Sequence, residues 1–302
     1  MDNGHEEHPT GGVDYPRTIT EFDKWFRSEA DCEAFLRRLR WPSGFWCPGC
    51  GGGGGWETSR GLIRCRSCAR QTSVTAGTIL EGTRKPLRLW FQAGWYVTSQ
   101  KPGVSALGLQ RVLGLGSYRT AWTWLHKLRR AMVRPGRDRL SGEVEVDETF
   151  VGGAESETNG RERVVRSMVA VAAEVRGRAI GRIRMAIIPD ASADSLIPFI
   201  QSTVTEGSTI RTDGWSGYGP ISRYAYHHSR TSLRASGLPP HVAMPRVHRV
   251  ASLLKRWWLG TYHGAISEAH LDYYLDEFTF RFNRRTSRAR GLLFYRLLQQ
   301  AM

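Results

Sequence analysis

The chain has 302 residues and a mass of 34.1 kDa, room for two or three modest domains, and its 40% hydrophobic and 11% aromatic content can build a buried core. Forty-three basic and 28 acidic residues leave a net charge of +15, which favours a polyanionic partner, nucleic acid before an anionic membrane surface. No apolar run approaches the roughly 18 residues of a membrane span, and the first 30 residues lack a basic-then-apolar leader, so a transmembrane protein is excluded and a cytoplasmic one is expected.

In chain order, Thr18–Trp41 has helical periodicity, with Phe22, Trp25, Phe26, Cys32, Phe35 and Leu36 facing a core and a break near Ser28–Asp31. Residues 45–75 read as short strands around cysteines, with Gly51–Gly55 as a flexible loop tip. Pro86 suits a first helical turn and opens a helical region to residue 133. Within it, Val104–Leu113 and Thr120–Met132 flank a short glycine turn, the outline of a helix-turn-helix. Pro135-Gly136 is a linker. Beyond it, residues 143–151, 164–175, 178–188 and 208–213 are β-rich, with a helix near 192–204, and from His248 the chain is helical. The expected divisions are 1–44, 45–75, 86–135, 142–290 and a C-terminal helical tail, 291–302.

Charge is concentrated. From Arg60 through Leu140 there are sixteen basic and two acidic residues, and the last 22 residues add six arginines and no acid. Phosphate neutralisation accounts for such a stretch better than an ordinary solvated surface. On the second helix of the helix-turn-helix, Arg119 and Lys127 are the better phosphate candidates, with Arg129 and Arg130 behind them.

Cys47-Pro-Gly-Cys50 and Cys65-Arg-Ser-Cys68 form two CxxC pairs separated by fourteen residues. Each pair makes a knuckle that turns two thiolates to one side, and a hairpin of this length brings two knuckles together around one structural Zn²⁺. A redox motif needs only one pair. Cys32, alone in an apolar helix, reads as a core residue.

The acidic positions are weaker singly. Strict alternation in Glu143-Val-Glu-Val-Asp-Glu148 sends Val144 and Val146 to one face and Glu143, Glu145 and Asp147 to the other. This suits either a half-exposed edge strand or a metal-binding carboxylate in a buried sheet. A second β-branched strand ends at Asp213, where Asp-Gly also fits a hairpin turn. His248 follows 35 residues later and shares a helix face with Ser252 and Lys255.

Together, the ribbon, Val144-Glu-Val-Asp-Glu-Thr-Phe-Val-Gly-Gly153, Thr212-Asp-Gly-Trp-Ser-Gly-Tyr218, Val250–Gly260 and Tyr274–Arg285 resemble a bacterial insertion-sequence transposase of the DDE superfamily, in the group carrying an N-terminal zinc ribbon. The resemblance covers about Thr18 to Met302. It implies an α/β architecture: a mixed-sheet RNase H-like catalytic domain preceded by the ribbon and the helix-turn-helix. It also implies two catalytic Mg²⁺ ions, replaceable by Mn²⁺, held by Asp147, Asp213 and His248, with Lys255 on a phosphate near the scissile bond. Double-stranded DNA, both inverted-repeat ends and target, would be the partner of a homodimer or higher oligomer, with Arg281–Arg290 adding backbone contacts. The usual glutamate is His248 here, so Glu277 competes for the third catalytic position; it also pairs at i,i+4 with Arg281. Two other readings are a zinc-ribbon/helix-turn-helix transcriptional regulator, which leaves residues 143–302 unexplained, and an RNase H-like nuclease or resolvase, which leaves the ribbon unexplained.

Overall fold

The computed structural model describes residues 8–134, 136–152, 167–231, 240–263, 266 and 268–302. Pro135 of the expected linker, Gly153 of the acidic segment and residues 164–166 of an expected strand lie outside the described residues. The chain divides into two compact units, one from Met1–Arg134 with Ser287–Met302, the other from Pro135–Thr286.

In the first unit, α1 (Ile19–Trp25) and α2 (Glu29–Arg40) are separate helices. The break is a capping box: Asp31 N donates to Ser28 Oγ at 3.2 Å, and Ser28 N donates to Asp31 Oδ2 at 2.8 Å. Three short antiparallel strands, β1 (Gly55–Glu57), β2 (Ile63–Cys65) and β3 (Gln71–Thr72), follow. Pro86 lies at the N-cap of α3 (Leu87–Ser99) and offers no side-chain cap. Glu29 of α2 supplies one instead, accepting from Leu87 N at 2.6 Å and Arg88 N at 3.0 Å. α4 (Ala106–Leu113) ends at Gly114 in the left-handed conformation (φ +62°), and α5 (Tyr118–Arg130) follows.

The C-terminal helix α9 (Arg290–Ala301) belongs to this unit rather than forming a separate tail. Its Phe294 is fully buried, with ring centroids 5.5–5.9 Å from those of Phe22, Phe26, Phe91 and Trp95. The apolar face of Leu293, Phe294, Leu297 and Leu298 needs such a cover, and α2 and α3 provide it.

The second unit is a five-stranded sheet of order β6-β5-β4-β7-β8. β4 (Glu143–Val151), β5 (Ser167–Arg176) and β6 (Ala179–Ile188) form an antiparallel meander. β7 (Thr209–Thr212) pairs parallel with β4, and β8 (His227–Arg230) parallel with β7. β8 was not legible in the sequence, and β4 is the central strand rather than a half-exposed edge. Val144 and Val146 pack under α6 (Ala193–Thr203) and the 3₁₀ segment Ser216–Arg223. The opposite face, with Val169 and Val171, is covered by α7 (Pro245–Tyr262) and α8 (Leu271–Asn283). Each face is therefore covered, which leaves Glu145 fully buried and Asp147 largely so in a low-dielectric layer, while Glu143 at the strand's start stays partly exposed.

Candidate metal centre and candidate active site

The ribbon brings its four cysteines into one cluster whose Sγ atoms all lie within 4.8 Å of one another. Cys47 Sγ stands 3.6 Å from Cys68 Sγ, and Cys50 Sγ 3.7 Å from Cys65 Sγ. A tetrahedron with Zn–S bonds of about 2.3 Å has edges of about 3.8 Å, so the donor set fits zinc. Gly49 N and Ser67 N donate to Cys47 Sγ and Cys65 Sγ at 3.4 and 3.3 Å. Backbone N–H groups of Cys68 and Ser67 hold the Cys65 thiol down to about 6, ready to ligate as thiolate.

The five glycines are part of this knuckle rather than a loose tip. Gly51 N donates to Cys47 O at 2.8 Å and Cys47 N to Gly52 O at 2.9 Å, closing the turn. Gly51 has φ +71°, and a Cβ on Gly55 would lie 2.7 Å from Arg64 O on the neighbouring strand.

In the second unit, parallel pairing of β4 and β7 aligns Glu143 with Thr209, Val144 with Ile210 and Glu145 with Arg211. The ladder ends there; Asp147 lies two residues farther on, in the middle of β4, and Asp213 two residues beyond Arg211, just past the end of β7. The Asp-Gly pair makes no hairpin: Gly214 has φ +85°, and the chain enters the 3₁₀ segment. Asp213 Oδ1 accepts from Trp215 N at 2.9 Å, which fixes the turn.

α7 places His248 in its first turns, with Nδ1 3.6 Å from Asp147 Oδ2. Burial, then the charges of Asp213 and Glu145, push the Asp147 carboxyl up to about 6, against the opposing pull of the Glu148 N–H and Lys255. Lys255, exposed two turns along α7, thus acts on the same carboxylate. The ligand atoms of Asp147, Asp213 and His248 are more widely spread than the cysteine cluster: among the described residues, only the cysteines close within 4.8 Å. Carboxylate oxygens at partial burial are donors of the kind that a divalent cation takes.

Glu277 takes a different role from the one its competing candidacy requires. It is 1% exposed; Oε1 accepts from Arg281 Nε and Nη2 at 2.8 and 2.7 Å, and Tyr262 OH donates to Oε2 at 3.1 Å. Both oxygens are engaged in a buried structural pair within α8 and its neighbour.

Two groups near the aspartates escaped the sequence reading. Glu148, on the other face of β4, accepts from Tyr218 OH at 2.7 Å, and its carboxyl is raised by burial and by Asp147 and Asp213. The acid adjoining Asp147 and the tyrosine ending Thr212–Tyr218 were the available signals. Glu145 was placed on the right face, but its partners on α7 were not foreseen.

The candidate DNA-contact residues on α5 divide by exposure. Arg119 and Arg130 are exposed, and Lys127 is half-buried with Nζ 5.8 Å from the centroid of the Trp90 ring. Arg129 is a correction: at 2% exposed it cannot reach a phosphate in this conformation. Arg129 stands one turn beyond the buried Leu125 and shares its face, whereas Arg130 is turned about 100° away to solvent. On the ribbon, Arg60, Arg64, Arg66 and Arg70 are exposed, and the Arg64 guanidinium lies 5.8 Å from the ring of the exposed Trp56.

No helix among the described residues is long and apolar enough to cross a membrane. No curated protein matches the chain. Two family models do: a transposase zinc-ribbon domain over residues 27–71, spanning α2 and the four cysteines, and an ISXO2-like transposase domain over residues 139–283, spanning the five-stranded sheet, α7 and α8. With both models matched and the four cysteines of the first clustered, the chain belongs to the insertion-sequence transposases that carry a zinc ribbon.

Proposed function

We propose that this transposase binds the inverted-repeat ends of its element through the basic first unit and performs metal-dependent DNA cleavage and strand transfer at Asp147, Asp213 and His248. The observation that carries the reading is His248 Nδ1 3.6 Å from Asp147 Oδ2, with Asp213, just past the strand that pairs parallel with β4, near enough to raise the Asp147 carboxyl. The order β6-β5-β4-β7-β8, antiparallel then parallel about a central β4, supports an RNase H-like assignment. Asp147 and Asp213 would hold the two Mg²⁺ ions with oxygen donors, and His248 would add a nitrogen donor from α7. When bound, such ions polarise an attacking water or 3′-hydroxyl and offset charge on the leaving oxygen.

The chain's own contributions are positional and electrostatic. The buried sheet holds Asp147 in one orientation, and the Trp215 N–H bond holds Asp213. Lys255 presents a positive charge to the phosphate beside the reacting centre, and the exposed Arg119 and Arg130 neutralise backbone phosphates. No protein nucleophile is required.

The test uses the full chain with precut inverted-repeat ends and a supercoiled target, in Mg²⁺ or Mn²⁺. Strand transfer is expected, and Asp147→Asn and Asp213→Asn should abolish it without unfolding the protein. Folded aspartate variants that retain turnover would overturn the assignment. Nicking without joining would instead favour a nuclease, and DNA binding without any cleavage a regulator.

A further inference from the structure

Glu145 is a fully buried carboxylate that the proposed chemistry does not use. It lies two residues before Asp147 on the same face of β4. Its register partner Arg211 lies two residues before Asp213 on the neighbouring strand. Glu145 Oε2 accepts from Arg246 N at 2.7 Å and from Val247 N at 2.9 Å. These are the second and third residues of α7. Pro245, the first, has no N–H, and His248 N donates to Met244 O at 3.4 Å, so Arg246 and Val247 are the donors that need an outside acceptor.

The other groups tighten the same end. Arg211 Nη2 donates to Ala243 O at 3.2 Å, gripping the chain just before the helix, while Arg211 Nη1 donates to Glu143 Oε1 at 2.8 Å and lies 3.9 Å from Glu145 Oε1. Arg246 Nη1 approaches Glu145 Oε1 at 3.4 Å, and Arg246 Nη2 donates to Gly177 O in the β5–β6 turn. A carboxylate at a helix N-terminus also complements the positive end of the helix dipole.

We propose that Glu145 and Arg211 form a buried clamp that positions α7, and through it His248, against Asp147; this rests on the active-site reading above. Both are positioning residues. Two residues before each aspartate stands a side chain that holds this end: Glu145 caps the first turn of α7, and Arg211 holds the carbonyl of Ala243 just ahead of it. His248 directly follows Val247, so any shift of the gripped backbone moves the imidazole. An apolar residue at position 145 would lie opposite Ala173 and beside Val171 without desolvating a charge, but it would leave two N–H groups unpaired and the helix end unregistered.

The test measures Mn²⁺ affinity of the full chain by electron paramagnetic resonance of the free ion, with circular dichroism as the check on folding. Glu145→Gln should stay folded and bind Mn²⁺ about tenfold more weakly. In a His248→Ala background the same substitution should add little further loss, because the clamp acts through His248. Wild-type affinity in a folded Glu145→Gln protein, or a fully additive loss in the His248→Ala background, overturns the clamp. Should Glu145→Gln not fold, Arg211→Met, at a partly exposed position, is read by the same two criteria. Asp147→Asn separates the two readings: if it leaves Mn²⁺ affinity unchanged, the active-site assignment fails and takes the clamp with it, whereas loss in Asp147→Asn beside wild-type binding in Glu145→Gln sinks the clamp alone.

Discussion

At the scale of single residues, environment separates acids that look alike in the sequence. Asp147 is crowded by Asp213 and Glu145, Glu277 is held by Arg281 and Tyr262, and Asp276 sits with burial as its dominant influence. Burial, then Asp272, pushes Asp276 up to about 6 from an ordinary 3.8, against the pull of Arg137. The folded state therefore holds a proton that the unfolded chain releases earlier. This group's contribution is most favourable below the ordinary value, is lost as pH rises through the window to about 6, and stays unfavourable above it. Asp276→Asn should stabilise the protein by about 2 kcal/mol at pH 7 and leave stability below pH 4 nearly unchanged. Denaturant midpoints at both pH values check this, and an equal shift at each would refute it. For His248, replacement by Glu should preserve or raise Mg²⁺-dependent strand transfer, since it restores a hard oxygen donor on the same helix position. His248→Ala should lower it about 10–100-fold; unimpaired turnover in the folded alanine variant would remove His248 from the site.

Elements show how far the sequence could be read. The cysteine spacing, the two helices around the Gly114 turn and the alternation of β4 were all visible, because each is encoded within a few residues. β8 was not. His227-His-Ser-Arg230 has no apolar alternation, and its strand character comes from parallel pairing with Thr209–Thr212. The central place of β4 was equally hidden, since alternation fits an edge strand as well as a strand with each face covered. The nearness of Asp213 to Asp147 needed the β4/β7 pairing, and the role of Glu145 needed a helix a hundred residues away. For the ribbon, elemental analysis should find one zinc per chain. Chelation should leave residues 45–75 open to proteolysis, because three strands of two or three residues with few apolar side chains have little else to hold them. Unchanged protease resistance after zinc removal would count against that dependence.

For the whole molecule, the division into units revises how the parts can be separated. A fragment ending near residue 140 keeps the basic stretch but loses α9, hence the partner of Phe22, Phe26, Phe91 and Trp95. Such a fragment should be poorly folded. Phe294→Ala in the full chain should cost about 3–5 kcal/mol, seen as a lower denaturation midpoint of the first unit. A stable, cooperatively unfolding fragment would contradict the packing described. Binding of the full chain to DNA should weaken steeply with salt, as counterions return to the phosphates, and Arg119→Ala with Arg130→Ala should reduce the slope where Arg129→Ala does not. Equal slopes in all three would move the contact surface off α5.

The closing of the first unit by α9 has a consequence for synthesis. On the ribosome, residues 135–286 are all translated before Phe294, so the segment translated first is the one finished last. Until then the aromatic faces of α1 and α3 wait uncovered, exposed to a nascent chain's neighbours and to holding chaperones. Any chain halted between residues 286 and 294 would carry a whole second unit attached to an unfinished first one.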